Sequence, residues 1–168
     1  MPTLQKITPC LWFDDQAEEA VTFYAGIFKN SRVVTVSRYG EVGREVYGKT
    51  AGTVMAVAFE LEGQAFSALN GGPAFTFNEA ISFQVNCEAQ EEVDYYWEKL
   101  SDRGDEQAQQ CGWLKDKYGV SWQIIPVVLL DMLNDPDYEK SQRAMQAMLQ
   151  MKKIDIDALE RAYAGGSI

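Results

Sequence analysis

The run Ser121-Trp122-Gln123-Ile124-Ile125-Pro126 places one amide in an otherwise apolar stretch, and the chain around it contains no histidine. Without imidazole there is no Ser-His-Asp or Cys-His nucleophile, no imidazole base and no His-ligated zinc or iron. Cys10, Cys87 and Cys111 are too widely spaced for a C-x-x-C pair, so neither a disulfide framework nor a zinc knuckle is expected. Cys10 has no evident basic neighbour to lower its pKa, which suits a small buried hydrophobe better than a nucleophile. What is left is a set of neutral polar groups spaced by two. Thr8, Cys10 and Trp12 form one set, Ser82, Gln84 and Asn86 a second, and Ser121 and Gln123 a third. That period puts each set on one face of a strand. There, such groups either hold a ligand by hydrogen bonds or satisfy one another in a packed sheet.

The elements that would position these groups follow from pattern. Ile7–Phe13 reads as a strand, and Asp14-Asp15 supplies an N-cap and first-turn acids for a helix running to about Phe28. The inward stripe of that helix is Ala20, Phe23, Tyr24 and Ile27. Ser31–Ser37 is β-branched and strand-like, and Gly40–Gly52 is a polar loop or flap. Thr53–Leu61 and Gln64–Leu69 form a hairpin across Glu62-Gly63. Ala80–Asn86 is the next strand, and Gln90–Leu100 a helix with Val93, Tyr96, Trp97 and Leu100 inward. Residues 111–126 then read as strand, tight turn at Asp116-Lys117-Tyr118-Gly119, and buried strand. The second half repeats the first: Ile7 and Leu11 match Ile81 and Val85, and the two helix stripes match in turn. After Pro126, Val127–Asn134 is helix-like and Asp135-Pro136-Asp137 breaks and recaps the chain. A Met-bearing helix with Ala144, Met145, Met148 and Leu149 follows, its stripe suited to packing on a core or a partner subunit. A last helix opens on the capping-box spacing of Asp157 and Glu160 and ends at Gly165-Gly166.

The chain has 168 residues and a formal net charge of -10, from 25 acids and 15 bases. With no Lys/Arg cluster, nucleic acid and anionic membranes are not expected partners. No apolar run approaches the ~20 residues that span a bilayer, and residues 1–6 lack a secretory pattern. A cytoplasmic protein is expected.

Several motifs carry a family resemblance across about residues 5–165. They are Ile7-Thr8-Pro9-Cys10-Leu11-Trp12-Phe13, Ala20 with Phe23-Tyr24, Ala68-Leu69-Asn70-Gly71-Gly72-Pro73, Phe77-Asn78-Glu79-Ala80-Ile81-Ser82-Phe83, and the hairpin from Cys111 to Pro126. Together they resemble the PhnB-like group of the vicinal-oxygen-chelate (glyoxalase-type) superfamily, also labelled 3-demethylubiquinone-9 3-methyltransferase-like. The resemblance implies an α+β fold of two tandem βαβββ modules, about 5–70 and 80–126, cupped into one domain over 1–126. Residues 127–168 form a C-terminal helical extension.

In metal-dependent relatives a Glu sits where Gln123 stands, and the family's Gly-Gly-Pro is commonly followed by His where this chain has Ala74. The resemblance therefore implies a divalent metal in relatives, whereas no cofactor is expected here. It also implies a pocket from Cys10, Trp12, Gln84, Trp113 and Gln123, with Asn70 near its rim. Such a pocket is aromatic-walled with neutral polar handles and suits an unidentified planar or polar small molecule. Bland roles compete: Trp113 and Lys115 as hairpin packing, Asn70-Gly71-Gly72-Pro73 as a turn. The methyltransferase label finds no support in the first strand–helix turn, Asp14-Asp15-Gln16, which lacks the glycines of a nucleotide loop. Three readings stand open: a metal-free small-molecule binder, an enzyme of the same fold (lyase, dioxygenase or group transferase), and an interaction role. A homodimer is expected from the family's habit, the sheet edges and the Met-bearing helix.

Overall fold

The computed structural model describes residues 4–166, and the chain divides into two units, Met1–Thr76 and Phe77–Ile168. The first unit holds β1 (Cys10–Phe13), α1 (Ala17–Ile27), β2 (Arg32–Arg38), a short α2 (Arg44–Tyr47), β3 (Val54–Leu61) and β4 (Gln64–Asn70). Its mixed sheet has the order β1-β4-β3-β2, with β1 parallel to β4 and the other pairs antiparallel. The β3–β4 hairpin turns through Glu62 and Gly63, both at positive φ (47° and 76°), the type I′ geometry that matches strand twist.

Alternation splits this sheet into two faces. Leu11, Phe13, Val57, Phe59, Leu61 and Ala68 are buried on the side of α1, which buries Ala17, Ala20, Val21, Tyr24 and Ile27 in return. Each large apolar side chain taken from water here contributes about 1.5–3 kcal/mol, so this face fixes the register. The helix stripe is shifted from expectation: Val21 is buried, and Phe23 only half so. The first strand is also shorter than Ile7–Phe13, because the chain before Pro9 is exposed and Ile7 is 85% accessible.

Asp14 and Asp15 do not cap α1. Its first residue, Ala17, donates its backbone N–H to Oδ1 of Asn70 at 2.8 Å, so the cap comes from the end of β4. Asn70 is 5% exposed; its Nδ2 donates to the Val54 carbonyl (3.1 Å), and its own carbonyl accepts from the Tyr39 hydroxyl (2.7 Å). The loop from Gly40 to Gly52 contains α2 and is tied down by the Tyr39–Tyr47 ring contact and by Lys49, which donates to the Asp14 carbonyl.

The second unit holds β5 (Ser82–Cys87), α3 (Gln90–Ser101), β6 (Trp113–Lys115), β7 (Ser121–Pro126), and then α4 (Val127–Leu133), α5 (Tyr138–Met148) and α6 (Ile156–Tyr163). Its sheet order is β5-β7-β6, with β5 parallel to β7 as β1 is to β4. The expected second module is thus present with three strands where the first has four. The segment that would form the missing strand instead makes a single 3-10 turn, Glu106–Ala108, capped by Asp105. Gly104 holds this segment close to β6: a Cβ there would lie 2.2 Å from the Lys115 carbonyl oxygen.

Cys111 does not begin a strand. With Gly112 it forms a two-residue loop at positive φ (51° and 83°) between the bridged Gln110 and Trp113. Both loop amides donate into the C-terminal extension, to the carbonyls of Met151 and Lys152 (2.8 Å each). That extension has its own core, built from Leu129, Met132, Ala144, Ala147, Ile154, Leu159 and Ala162 around Ile125. Of the expected stripe, Ala144 and Met148 pack in this core, joined by Met151, while Leu149 is exposed. Asp137 caps α5 as expected, whereas α6 is capped by Asp155, two residues before the expected Asp157.

Between β6 and β7, Asp116 is only 3% exposed. Its Oδ1 accepts from the Tyr118 and Val120 amides (2.8 and 3.0 Å), and its Oδ2 accepts from the Trp122 indole N–H (2.8 Å). Replacing Asp116 with Ala strands these donors, and we expect a loss of about 3 kcal/mol or more in urea unfolding. Asn70→Ala removes the α1 cap and the bond to Val54, with an expected loss of about 2 kcal/mol by the same measurement.

Candidate functional site

The register of the second unit brings three sequence-selected residues into one row. Gln84 of β5 pairs with Gln123 of β7, and Gln123 pairs with Trp113 of β6. All three project from the face opposite Phe83, Leu114, Trp122 and Ile124, the apolar set on the side of α3. Gln84 is exposed, and Gln123 and Trp113 are half-buried. A second row runs beside the first: Ser82, Ser121 and Lys115 are register partners across the same three strands.

Hydrogen bonds tie the rows together. Gln123 Nε2 donates to Ser82 Oγ (2.8 Å), and Gln84 Nε2 donates to Asn86 Oδ1 (2.9 Å). At the far end of the second row, Lys115 pairs with Glu79 from the segment before β5. The Lys115 ammonium, hydrogen-bonded to it, holds the Glu79 carboxyl below the usual carboxylate range. Lys115, expected only as hairpin packing, and Glu79 were not among the pocket residues expected from sequence. The alternation Trp113-Leu114-Lys115 places Lys115 on the Trp113 side, but nothing local links Glu79 to it.

The first unit divides its candidates. Cys10 and Trp12 lie on the face away from α1, where Cys10 pairs with Ser67 and Trp12 with Leu69. Asn70 shares the opposite face with Phe13 and Ala68, and its side chain is committed to Ala17 and Val54. Trp12 donates its indole N–H to the Gly72 carbonyl (2.9 Å) and meets Phe75 edge-on, with ring centroids 4.9 Å apart. Gly71 lies against this indole, where a Cβ would fall 2.2 Å from the ring. The Gly-Gly-Pro turn is therefore the seat of Trp12 as well as a bend. A groove of about 630 Å³ runs between the start of α1 and residues 48–54, with Asn70 in its wall. A shallower one of about 330 Å³ borders Trp113, with Ala108, Gln110 and Cys111.

Cys10 is exposed, not the small buried hydrophobe expected, because the face of β1 away from α1 is open at this position beside Ser67; burial, aided by the Glu92 charge, pushes the Cys87 thiol up to about 12. Among the described residues, no group of three or more His, Cys, Asp or Glu side chains could hold a metal ion. The donors of the Gln123 row are two amides and an indole. They do not fit a divalent transition metal, which takes imidazole, thiolate or carboxylate. No helix among the described residues is long and apolar enough to cross a membrane.

Comparison with known proteins agrees with this architecture. The family model for 3-demethylubiquinone-9 3-methyltransferase matches residues 5–125, ending just before α4. A PhnB protein from Bacillus cereus bearing the same family description is 40% identical, aligned over 73% of this chain and all of its own, with a TM-score of 0.62. Two remoter structures share the fold. A protein from Pseudomonas aeruginosa is 20% identical (74% of this chain, 98% of its own, TM-score 0.57). The fosfomycin resistance protein FosX from Listeria monocytogenes is 14% identical (80% of this chain, all of its own, TM-score 0.54). No curated protein matches the chain. With the family match running through the mixed sheets of both units, the chain belongs to the 3-demethylubiquinone-9 3-methyltransferase (PhnB-like) family of the vicinal-oxygen-chelate superfamily.

Proposed function

We propose that the protein binds a small organic molecule on the polar face of its second sheet, through the Gln84–Gln123–Trp113 row and without a transition metal. The alignment of these three side chains across three strands carries the reading. Two amides offer donors and acceptors on one face of the sheet, and an indole beside them offers a stacking surface. A planar ligand with an amide-like or carbonyl edge matches that set. The row keeps free hydrogen-bonding capacity, since Gln123 commits Nε2 to Ser82 and Gln84 is exposed.

The family description speaks for group transfer as a second reading. Against it stand the Asp14-Asp15-Gln16 turn, which lacks a nucleotide-binding glycine loop, and two short mixed sheets in place of an open parallel one. Ligand binding by neutral groups is the function the geometry supports best.

Titrating ¹⁵N-labelled protein with nicotinamide, a planar neutral amide, is expected to shift the side-chain amides of Gln84 and Gln123 and the Trp113 indole. Trp122, whose indole is held by Asp116, stays in place as an internal control. Gln123→Ala should weaken this binding roughly fivefold, the worth of about one neutral hydrogen bond. Shifts confined to other residues contradict the proposal. For the metal, incubation with Zn²⁺, Mn²⁺, Ni²⁺ or Fe²⁺ followed by desalting and metal analysis should leave far less than one ion per chain. Stoichiometric retention refutes a metal-free site.

A further inference from the structure

Ser121 is the one described side chain whose buried polar atom has no hydrogen-bond partner: its residue is 2% exposed, and its Oγ neither donates nor accepts. A buried hydroxyl left this way costs about 1–3 kcal/mol, so its retention in a packed strand calls for a use. Its position supplies one. In register, Ser121 stands between Ser82 and Lys115, next along β7 from Gln123 on the same face. Two serines, a glutamine and a lysine thus share one end of the polar face in register. The ammonium belongs to a side chain only 23% exposed, and its partner in the structure is a carboxylate, Glu79, that is 56% exposed and rises from the segment before β5.

We propose that this end of the face is an oxyanion subsite: the Lys115 ammonium and the Ser121 and Ser82 hydroxyls take the carboxylate or phosphate of the bound molecule. It rests on the reading of the Gln123 row as a ligand site and adds charge to the ligand's description. An anion here receives charge-assisted hydrogen bonds, shorter and about twice as strong as neutral ones. The Ser121 hydroxyl gains the acceptor it lacks in the free protein. Glu79 acts as an internal anion that holds Lys115 until the ligand displaces it, which an exposed carboxylate does at low cost. The chain's net charge of -10 makes a placed cation on this face selective, since an anionic ligand finds little positive field elsewhere.

The test titrates inorganic phosphate and, separately, acetate into the intact protein and its variants, with chemical shifts of Ser82, Lys115, Ser121 and Gln123 as the readout. Saturable shifts at these residues with either probe support the subsite, and the probe that binds more tightly names the anion class. Lys115→Gln should weaken binding at least tenfold and Glu79→Gln should strengthen it several-fold, by removing the competitor. Ser121→Ala should weaken the anion by roughly fivefold while leaving thermal stability equal or higher, because the orphaned hydroxyl is gone. A purely structural Ser121 would show the reverse, lower stability and unchanged binding, and would overturn the proposal. Binding indifferent to Lys115→Gln, or no shifts with either anion, also overturns it. Nicotinamide shifting the Gln123 row while both anions leave it untouched refutes the subsite alone. Failure of nicotinamide with success of phosphate or acetate refutes the neutral-ligand chemistry and keeps the anion end.

Discussion

The Asp116 carboxylate sets the geometry of the proposed site. Its oxygens hold two turn amides and the Trp122 indole, so the β6–β7 hairpin closes in a single register. A slip of one residue would turn Trp113 and Lys115 toward α3 and expose Leu114. Trp122, pinned on one side by Asp116 and in tilted ring contact with Phe83 on the other, also locks β7 against β5. Through this one carboxylate, Gln123 acquires Trp113 as a neighbour and Ser121 acquires Lys115.

The two units use the same layout with opposite contents. In each, the first strand runs parallel to the last, and one face packs on the helix. The row Gln84–Gln123–Trp113 of the second unit corresponds to Cys10–Ser67–Ala58 in the first. Large hydrogen-bonding side chains fill one row and small ones the other. The first unit invests its polar chemistry on the helix side instead, where Asn70 joins α1, β3 and Tyr39. The missing fourth strand of the second unit leaves Trp113 on an edge strand, bordered by the Cys111-Gly112 loop. The loop's amides are satisfied by the C-terminal extension, so the extension braces the hairpin that presents the site.

Much of this was legible in the sequence, because strand period, turn chemistry and helical stripes are local. The Asp116–Gly119 turn, the Glu62-Gly63 hairpin, the Asp137 cap and the sharing of a face by Gln84 with Ser82 and by Gln123 with Ser121 needed only spacing. What escaped depends on distant partners. Asp14 and Asp15 have the chemistry of a cap, yet Asn70, brought across by the β1–β4 pairing, supplies it. Asn70 therefore belongs to the scaffold face and not beside Cys10 and Trp12. The absence of a fourth strand from the second module was hidden because residues 102–110 are polar and Gly-bearing, compatible with extended or turn structure alike. The orphaned Ser121 and the Lys115–Glu79 pair emerge only when three strands are aligned.

A crystal structure of the protein soaked with a ligand mixture of planar amides and planar acids tests the account most directly. The account predicts density for a small molecule within hydrogen-bond distance of the Gln123 side chain and in contact with the Trp113 ring. Its acid group, where one is present, should lie at Lys115 and Ser121. A polar face that stays empty while ligand density fills the groove between α1 and residues 48–54 would contradict it.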